Sequence, residues 1–177
     1  MAEVFLRRLT RWQADQQRES VADTYVKTYG EDPPGRPDFL RRYAEHIQQP
    51  GFEMVVANGS GEAAGCTYGF PPRRASGWWT GFHGELPEDV AESAAAGKVF
   101  VIVDLMVVPQ HRRQGLAGRM REKLLAGTDA QFAAVRVARG NHAALAAFRS
   151  WDWARLGEWR PDPTTEPVEV WGHRLRT

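Results

Sequence analysis

The stretch that most constrains the fold is the apolar run 99–108, "VFVIVDLMVV", which is followed at once by "PQHRRQGLAGRM". Asp104 is its one polar residue, which is typical of a strand covered on both faces at the centre of a sheet. The spacing of apolar residues then predicts an amphipathic helix over Leu116–Ala126 and the next strand over Phe132–Ala138. This strand–helix–strand order requires two parallel strands joined by a right-handed crossover.

Shorter elements surround this unit. "VFLRRLT" predicts a first strand, and the segment after it predicts a helix that stops at Gly30. "EDPPGRP" predicts a loop, and a second helix is expected from a cap at Asp38 to Gln49. "FEMVVA" and "AAGCTYGF" predict a hairpin whose Asn-Gly and Ser-Gly pairs supply positive φ. Asn141 is expected to cap a helix over "HAALAAFRSW", and "EVWGHRL" predicts a last strand. The fold class is therefore α/β: a mixed, mostly antiparallel sheet flanked by helices, with one parallel β-α-β unit.

The segment Pro71–Gly97 contains prolines, glycines and the adjacent residues Trp78 and Trp79. Connections of this length are usually functional or disordered, and the aromatic residues argue against disorder. A short helix is expected around residues 87–95. The two tryptophans either line an acceptor pocket or serve the core.

Composition excludes several classes of protein. The 177 residues suit a single domain over 1–177, and a net charge of +1 gives no footprint of a nucleic-acid binder. No run has membrane-spanning length, so we expect a cytoplasmic protein with no membrane partner. The single cysteine, Cys66, excludes an intrachain disulfide and a cysteine metal cluster; we expect it to be a buried apolar residue, and we expect no metal.

The turn "RRQGLA" has features that favour binding of an anion. The first turn of a helix carries unpaired N–H groups and the positive end of the helix dipole, and a phosphate can be held there. Gly115 allows close backbone approach, and Arg112 and Arg113 can add charge. Neither G-x-G-x-x-G nor the P-loop pattern occurs, so those two nucleotide-binding classes lose support. A plain helix start with glycine is the alternative interpretation.

The pattern R-x-x-G-x-A, formed by Arg112, Gly115 and Ala117, follows "LMVVP" and precedes "NHAALAAFRSWDW". This combination resembles the GNAT superfamily of acyl-CoA-dependent N-acetyltransferases over Val99–Trp153. The order of strand, two helices and hairpin before it also suits that family. The resemblance implies that the coenzyme A pyrophosphate binds this turn and that the pantetheine arm lies beside the preceding strand.

The resemblance also assigns roles to individual residues. Backbone groups of Met106 and Val108 would pair with the pantetheine amides, and an N–H here would polarise the thioester carbonyl. Asn141 would begin the next helix close to the pantetheine arm; a role as N-cap is the alternative. The full set of implied cofactor-binding residues is Met106, Val107, Val108, Arg112, Arg113, Gln114, Gly115, Leu116, Ala117, Gly118, Asn141 and Phe148.

Phe148 departs from the family pattern. The family usually has a tyrosine seven residues after the asparagine, and its hydroxyl is the usual candidate to protonate the leaving thiolate. Phenylalanine cannot donate a proton, and no tyrosine follows Tyr68 in the sequence. Three explanations stay open: water protonates the thiolate, another side chain does so, or the protein binds acyl-CoA and turns over slowly.

Three residues are candidates for the base that takes a proton from the acceptor amine. Asp104 is the acid of the central strand, where a carboxylate among apolar neighbours has a raised pKa unless it is paired. Its alternative role is a structural ion pair, for example with an arginine. His83 and Glu85 lie in the long segment, where His83 could act near neutrality or be a solvated surface group.

The function predicted from these residues is transfer of an acetyl group from acetyl-CoA to a primary amine by direct attack in a ternary complex. A non-catalytic or slow acyl-CoA-binding or sensor domain is the first alternative, and a nucleotide-binding module is the second. The acceptor is open between a small-molecule amine and a peptide or protein amine. The resemblance also allows a homodimer.

Overall fold

The computed structural model describes residues 3–30, 35–73 and 77–176. The strands are β1 (Val4–Leu9), β2 (Glu53–Gly59), β3 (Glu62–Phe70), β4 (Phe82–His83), β5 (Val99–Val107), β6 (Phe132–Ala138), β7 (Ala154–Trp159) and β8 (Val168–Arg174). The helices are α1 (Arg11–Gln16), α2 (Arg18–Tyr29), α3 (Gly35–His46), α4 (Glu88–Ala95), α5 (Leu116–Ala126) and α6 (His142–Ser150). Short 3₁₀ turns cover Gly77–Trp79 and Pro109–His111.

The eight strands follow the order β1-β2-β3-β5-β6-β8-β7-β4. β5 and β6 are parallel, with a register that runs from Val99 opposite Phe132 to Ile102 opposite Val135. β1 with β2, β2 with β3, β6 with β8, β7 with β8 and β4 with β7 are antiparallel. The predicted mixed, mostly antiparallel sheet with one parallel pair and flanking helices is confirmed.

One compact unit comprises the described residues up to Phe70 together with Val103–Thr128. Its core joins α1, α2 and α3 to β2, β3 and the second half of β5. The most deeply buried large side chains of this core are Phe39, Tyr43, Ile47, Met54, Tyr68 and Met106. Cys66 is also buried here as a free thiol, as the sequence predicts.

The second compact unit comprises Pro71–Ile102 and the chain from Asp129 onward. The first half of β5, then β6, β8, β7 and β4, form its sheet. Its core is built from apolar residues of the strands and from the aromatic end of α6: Val99, Phe100, Phe132, Phe148, Trp153, Val170 and Trp171.

The helices near the N-terminus differ from the prediction in their bounds. The expected single helix before Gly30 is two helices that meet at Gln17. The next helix begins at Gly35 rather than at Asp38. Gly35 takes a left-handed φ of +64° at this boundary, which glycine tolerates, and Pro37 follows in the first turn, where proline is accepted. Asp38 is no cap: its carboxylate accepts from Arg41 Nη2 at 2.7 Å and Arg42 Nε at 2.8 Å. Residues 31–34 of the predicted loop lie outside the described residues.

The hairpin and the last strands also need correction. Positive φ occurs at Ser60 and Gly61, whereas the Asn-Gly pair at 58–59 belongs to β2. β7 was not predicted, because "ARLGEW" carries a register shift between Arg155 and Gly157 and so lacks a regular alternation. The predicted bounds of α5 and β6 are confirmed, and α4 fills the short helix expected around 87–95. Residues 74–76 of that segment lie outside the described residues.

Candidate functional site

The turn that follows β5 is anchored to β3 through Val108. The Val108 N–H donates to the Ala64 carbonyl at 2.9 Å, and the Val108 carbonyl accepts from the His111 N–H at 2.9 Å. The chain then extends at Arg112 and takes positive φ at Arg113 (63°) and at Gly115 (74°). A left-handed residue directly before a helix turns the chain sharply from strand to helix, which is why glycine suits position 115.

Arg112 holds the turn through two hydrogen bonds to backbone carbonyls. Its Nε donates to the Val107 carbonyl at 3.2 Å, and its Nη2 donates to the Thr28 carbonyl at 3.3 Å. These bonds tie the turn to the end of β5 and to α2. Arg112, Arg113 and Gln114 are all exposed. Both arginines are therefore open to solvent, and Arg112 in addition holds the turn through two backbone carbonyls.

The N-terminus of α5 is not capped by a side chain. Gly115 is the N-cap residue, and its carbonyl accepts the first intrahelical bond, from the Arg119 N–H at 3.2 Å. Leu116 is buried and anchors the helix, while a Cβ added at Gly115 would meet no atom within 4 Å among the described residues. The first amides of a helix have no intrahelical acceptor. This end of α5 therefore presents N–H donors beside open space, as a phosphate group requires.

The end of β5 offers fewer backbone groups than the sequence predicted. Both backbone groups of Val108 are engaged, and a Cβ at Gly65 of β3 would overlap the Met106 carbonyl oxygen, so that carbonyl also faces β3. Successive backbone groups of a strand alternate in direction, so Val107 faces away from β3. The Val108 N–H and carbonyl are therefore engaged within the protein, whereas Val107, whose carbonyl accepts from Arg112 Nε, has its N–H on the other side.

Asp104 has a tyrosine as its direct partner. The Tyr68 hydroxyl donates to Asp104 Oδ2 at 2.6 Å, and the Thr67 hydroxyl donates to the Asp104 backbone carbonyl at 2.7 Å. Burial raises the pKa of Asp104, while the Tyr68 hydrogen bond and the charge of Arg42 oppose the rise. Among the described residues, the Asp104 carboxylate does not form the structural ion pair that was the alternative. Arg42 binds Asp38 instead and affects Asp104 only through its charge.

Tyr68 is the functional candidate that sequence reasoning missed. It is fully buried, and burial together with the Asp104 carboxylate raises its pKa well above that of an ordinary tyrosine. Its hydroxyl therefore stays protonated and keeps donating to Asp104 across the neutral pH range. The signal available in the sequence was the predicted strand "AAGCTYGF", which contains Tyr68. A strand prediction gives neither the neighbouring strand nor the register.

The remaining predicted residues belong to the second unit. Asn141 is the N-cap of α6, where its Oδ1 accepts from the Ala144 N–H at 3.1 Å. Phe148 is buried, with its ring centroid 5.2 Å from that of Trp151 and 4.8 Å from that of Trp153. The other two candidate bases lie on the β4 side of this unit and are exposed: His83 and Glu85.

A sequence comparison places the chain in a family. A model of the acetyltransferase (GNAT) family matches residues 9–153. The protein belongs to the GNAT acetyltransferase family. The matched range includes both the β5–α5 turn and α6. No curated protein matches the sequence.

Solved structures share the GNAT fold at low sequence identity. A protein from Desulfovibrio desulfuricans assigned to the GNAT family aligns with a TM-score of 0.70 at 13% identity, covering 97% of this chain and 99% of its own. The ribosomal-protein-S18-alanine N-acetyltransferase of Escherichia coli gives 0.64 at 14%, covering 99% and 96%. The PaiA N-acetyltransferase of Thermoplasma acidophilum, solved with coenzyme A, gives 0.58 at 8%, covering 98% and 99%.

Among residues 3–30, 35–73 and 77–176, no group of three or more His, Cys, Asp or Glu side chains is placed to hold a metal ion. In the same ranges, no helix has the length and apolar character needed to cross a membrane.

Proposed function

We propose that the protein transfers the acetyl group of acetyl-CoA to a primary amine by direct attack in a ternary complex. The observation that carries this proposal is the uncapped N-terminus of α5, with its amides beside the open space at Gly115. Family membership supports acetyl transfer, and the coenzyme A complex of the Thermoplasma relative supports the cofactor. The acceptor is a small-molecule amine or a peptide amine.

The cofactor-holding residues follow from the turn. The backbone N–H groups from Arg113 or Gln114 to Gly118 would hold the pyrophosphate, aided by the positive end of the helix dipole. The N–H of Val107 would pair with pantetheine, since the Val107 carbonyl already accepts from Arg112 Nε. Bound acetyl-CoA supplies an activated acyl group with a thiol leaving group. The residues of the turn contribute positioning, which is a large part of catalysis in a reaction between two bound substrates.

Asp104 is the base that we favour. In the reaction, the amine nitrogen forms a bond to the acetyl carbon, the carbon–sulfur bond breaks, and the amine loses a proton. A base works best with a pKa near the working pH, and burial raises the pKa of Asp104 in that direction. Tyr68 would position the carboxylate through its hydrogen bond to Oδ2. His83 and Glu85, both exposed, are the weaker candidates.

The leaving thiolate must gain a proton from a source other than Phe148. We propose water, because a thiol with a pKa of about 8.5 is a fair leaving group and does not require a strong acid. The buried phenylalanine also supports the second candidate function, a domain that binds acyl-CoA and turns it over slowly or not at all.

Binding and turnover separate these candidates. Calorimetric titration with coenzyme A, acetyl-CoA and ATP is expected to give tight binding of the first two and weak binding of ATP. Thiol release from acetyl-CoA over a panel of primary amines is then expected to exceed the amine-free rate. Binding without release would favour the slow acyl-CoA-binding domain, and a preference for ATP would support the nucleotide-binding module.

The role of Asp104 is tested with pH profiles. Asp104→Asn is expected to lower kcat by about 100-fold, since general base catalysis contributes at least that much. Tyr68→Phe removes a hydrogen bond that lowers the pKa of Asp104, so the carboxylate holds its proton to a higher pH. The acidic limb of the plot of kcat against pH is therefore expected to move to a higher pH.

Tyr43→Phe is the matched control for the tyrosine variant. Tyr43 is buried in the same core, but its hydroxyl donates to the Ala14 carbonyl at 2.8 Å instead. It is expected to cost stability without moving the acidic limb. An unchanged limb in Tyr68→Phe, with Asp104→Asn still active, would exclude Asp104 as the base.

A further inference from the structure

Tyr29 is the last residue of α2, and its side chain lies beside the β5–α5 turn with 50% of the residue exposed. The carbonyl of the preceding residue, Thr28, accepts from Arg112 Nη2 at 3.3 Å, and Arg112 Nε donates to the Val107 carbonyl at 3.2 Å. Arg112 thereby fastens the end of α2 to the end of β5. Tyr29 is therefore held at the end of the strand that carries Asp104.

A second aromatic ring supports Tyr29 from the protein side. The ring centroid of Tyr29 is 5.1 Å from that of Tyr25, which lies one helical turn earlier. Tyr25 is itself stacked on the fully buried Phe39, with a centroid separation of 4.6 Å. Aromatic pairs at these separations attract one another and prefer defined ring orientations. Tyr29 therefore presents an aromatic surface to solvent that is continuous with the core of the first unit.

The charged groups of the candidate site act on the Tyr29 hydroxyl. Partial burial and then the Asp104 carboxylate raise the pKa of Tyr29, whereas the Arg112 guanidinium lowers it. The phenol therefore stays protonated and uncharged at neutral pH, so it offers a ring rather than a base. Asp104 is itself partly exposed, although its strand is central in the sheet. The exposed ring and the partly exposed carboxylate belong to the same compact unit.

We propose that Tyr29 is a specificity-determining residue whose ring contacts the carbon skeleton of the acceptor, so that the preferred substrates are primary amines carrying an aromatic or extended apolar group. This inference rests on the proposed acetyltransferase function with Asp104 as the base. A primary amine is an ammonium ion at neutral pH, and the Asp104 carboxylate attracts that cation. The neighbouring ring of Tyr29 removes the apolar part of the same molecule from water.

Two amines that differ by one phenyl ring test the proposal. The kcat/KM of the unchanged protein is expected to be at least about tenfold higher for phenethylamine than for ethylamine, as for other apolar groups held by an apolar contact surface. Tyr29→Ala is expected to remove most of this ratio by raising the KM for phenethylamine more than it lowers kcat. Tyr29→Phe keeps the ring and is expected to keep the ratio.

Trp12→Ala is the matched control, because Trp12 is another exposed aromatic residue of the first unit but lies on α1. It is expected to leave the ratio as in the unchanged protein. Thermal melts confirm that each variant is folded. An unchanged ratio in folded Tyr29→Ala, or an equal loss in Trp12→Ala, would overturn the proposal.

A binding measurement keeps the inference distinct from the proposed function. Saturation-transfer NMR of phenethylamine and of ethylamine, with coenzyme A present, needs no turnover. Saturation of the phenethylamine ring protons that is lost in Tyr29→Ala, and kept in Tyr29→Phe and Trp12→Ala, would support the contact even if no amine were acetylated. Acetylation of phenethylamine with an undiminished signal in Tyr29→Ala would overturn the inference and leave the proposed function standing.

Discussion

The N-termini of α5 and α6 differ in whether a side chain caps them. Each helix begins with amides that have no intrahelical acceptor. α6 satisfies one of them with its own side chain, since Asn141 Oδ1 accepts from Ala144 at 3.1 Å. α5 begins at Gly115, which has no side chain to offer and leaves the space in front of the helix open.

The difference separates stability from ligand binding. A capping side chain stabilises a helix by about 1 kcal/mol, so a helix without one forgoes that contribution. α5 compensates with its apolar face, where Leu116, Met120 and Leu124 are buried. Its free amides can then serve a ligand. The comparison predicts that changes at the start of α5 affect cofactor affinity, whereas changes on α6 affect folding.

The largest effect is expected at Gly115. Gly115→Trp fills the open space in front of the α5 amides, and the affinity for coenzyme A should fall about 100-fold, which is about 2.8 kcal/mol. Gly61→Trp is the matched control, because Gly61 also has a positive φ (79°) and no atom within 4 Å of an added Cβ among the described residues. Calorimetry and thermal melts on both variants provide the measurement.

Both glycine variants are expected to lose similar stability, since a left-handed backbone costs any L-residue roughly 1–2 kcal/mol. Only the change at Gly115 should weaken binding. Equal coenzyme A affinity in the two variants would show that the pyrophosphate does not bind at the start of α5.

The next effect is expected at Phe148, on α6. Phe148→Tyr places a hydroxyl between Trp151 and Trp153, and burying an unpaired hydroxyl costs about 1–3 kcal/mol. The free energy of unfolding should fall by that amount in denaturant titrations, with kcat unchanged. Phe100→Tyr, in the same unit and fully buried, is the control for the cost of the hydroxyl. A rise in kcat with an altered basic limb would instead show that the missing acid limits the reaction.

The sequence predicted the elements whose signals are local. α5 and β6 have the predicted bounds because helical and strand periodicity are visible within each segment. The N-cap at Asn141 was likewise visible as an asparagine before a helical run. β7 was missed because its irregular register hides the period-two pattern.

The chemistry of the site depends on contacts between distant parts of the chain. Tyr68 and Asp104 are 36 residues apart, and they meet because β3 and β5 are neighbours in the sheet although β4 lies between them in sequence. The same pairing engages the Val108 N–H in a bond to the Ala64 carbonyl. Register decides each of these contacts, and no single segment carries the register.

A smaller effect is expected at Asn141. Asn141→Ala removes the bond to Ala144, and the melting temperature should fall by roughly 2–4 °C, which corresponds to about 1 kcal/mol. Asn141→Ser keeps a capping oxygen and should restore the melting temperature. Coenzyme A affinity should stay within about twofold in both variants. A serine variant that melts normally but binds coenzyme A poorly would show that the asparagine amide contacts the cofactor.

The smallest effect is expected at Arg113, and it tests what holds the anion. Arg113 is exposed, and an exposed charge contributes little in physiological salt. Arg113→Gln should therefore weaken coenzyme A binding by no more than about threefold, and the difference should vanish at about 1 M salt. Arg112→Gln should lower stability instead, because it removes the bonds to Val107 and Thr28. If Arg113→Gln weakened binding as much as Gly115→Trp, side-chain charge rather than the uncapped amides of α5 would hold the pyrophosphate.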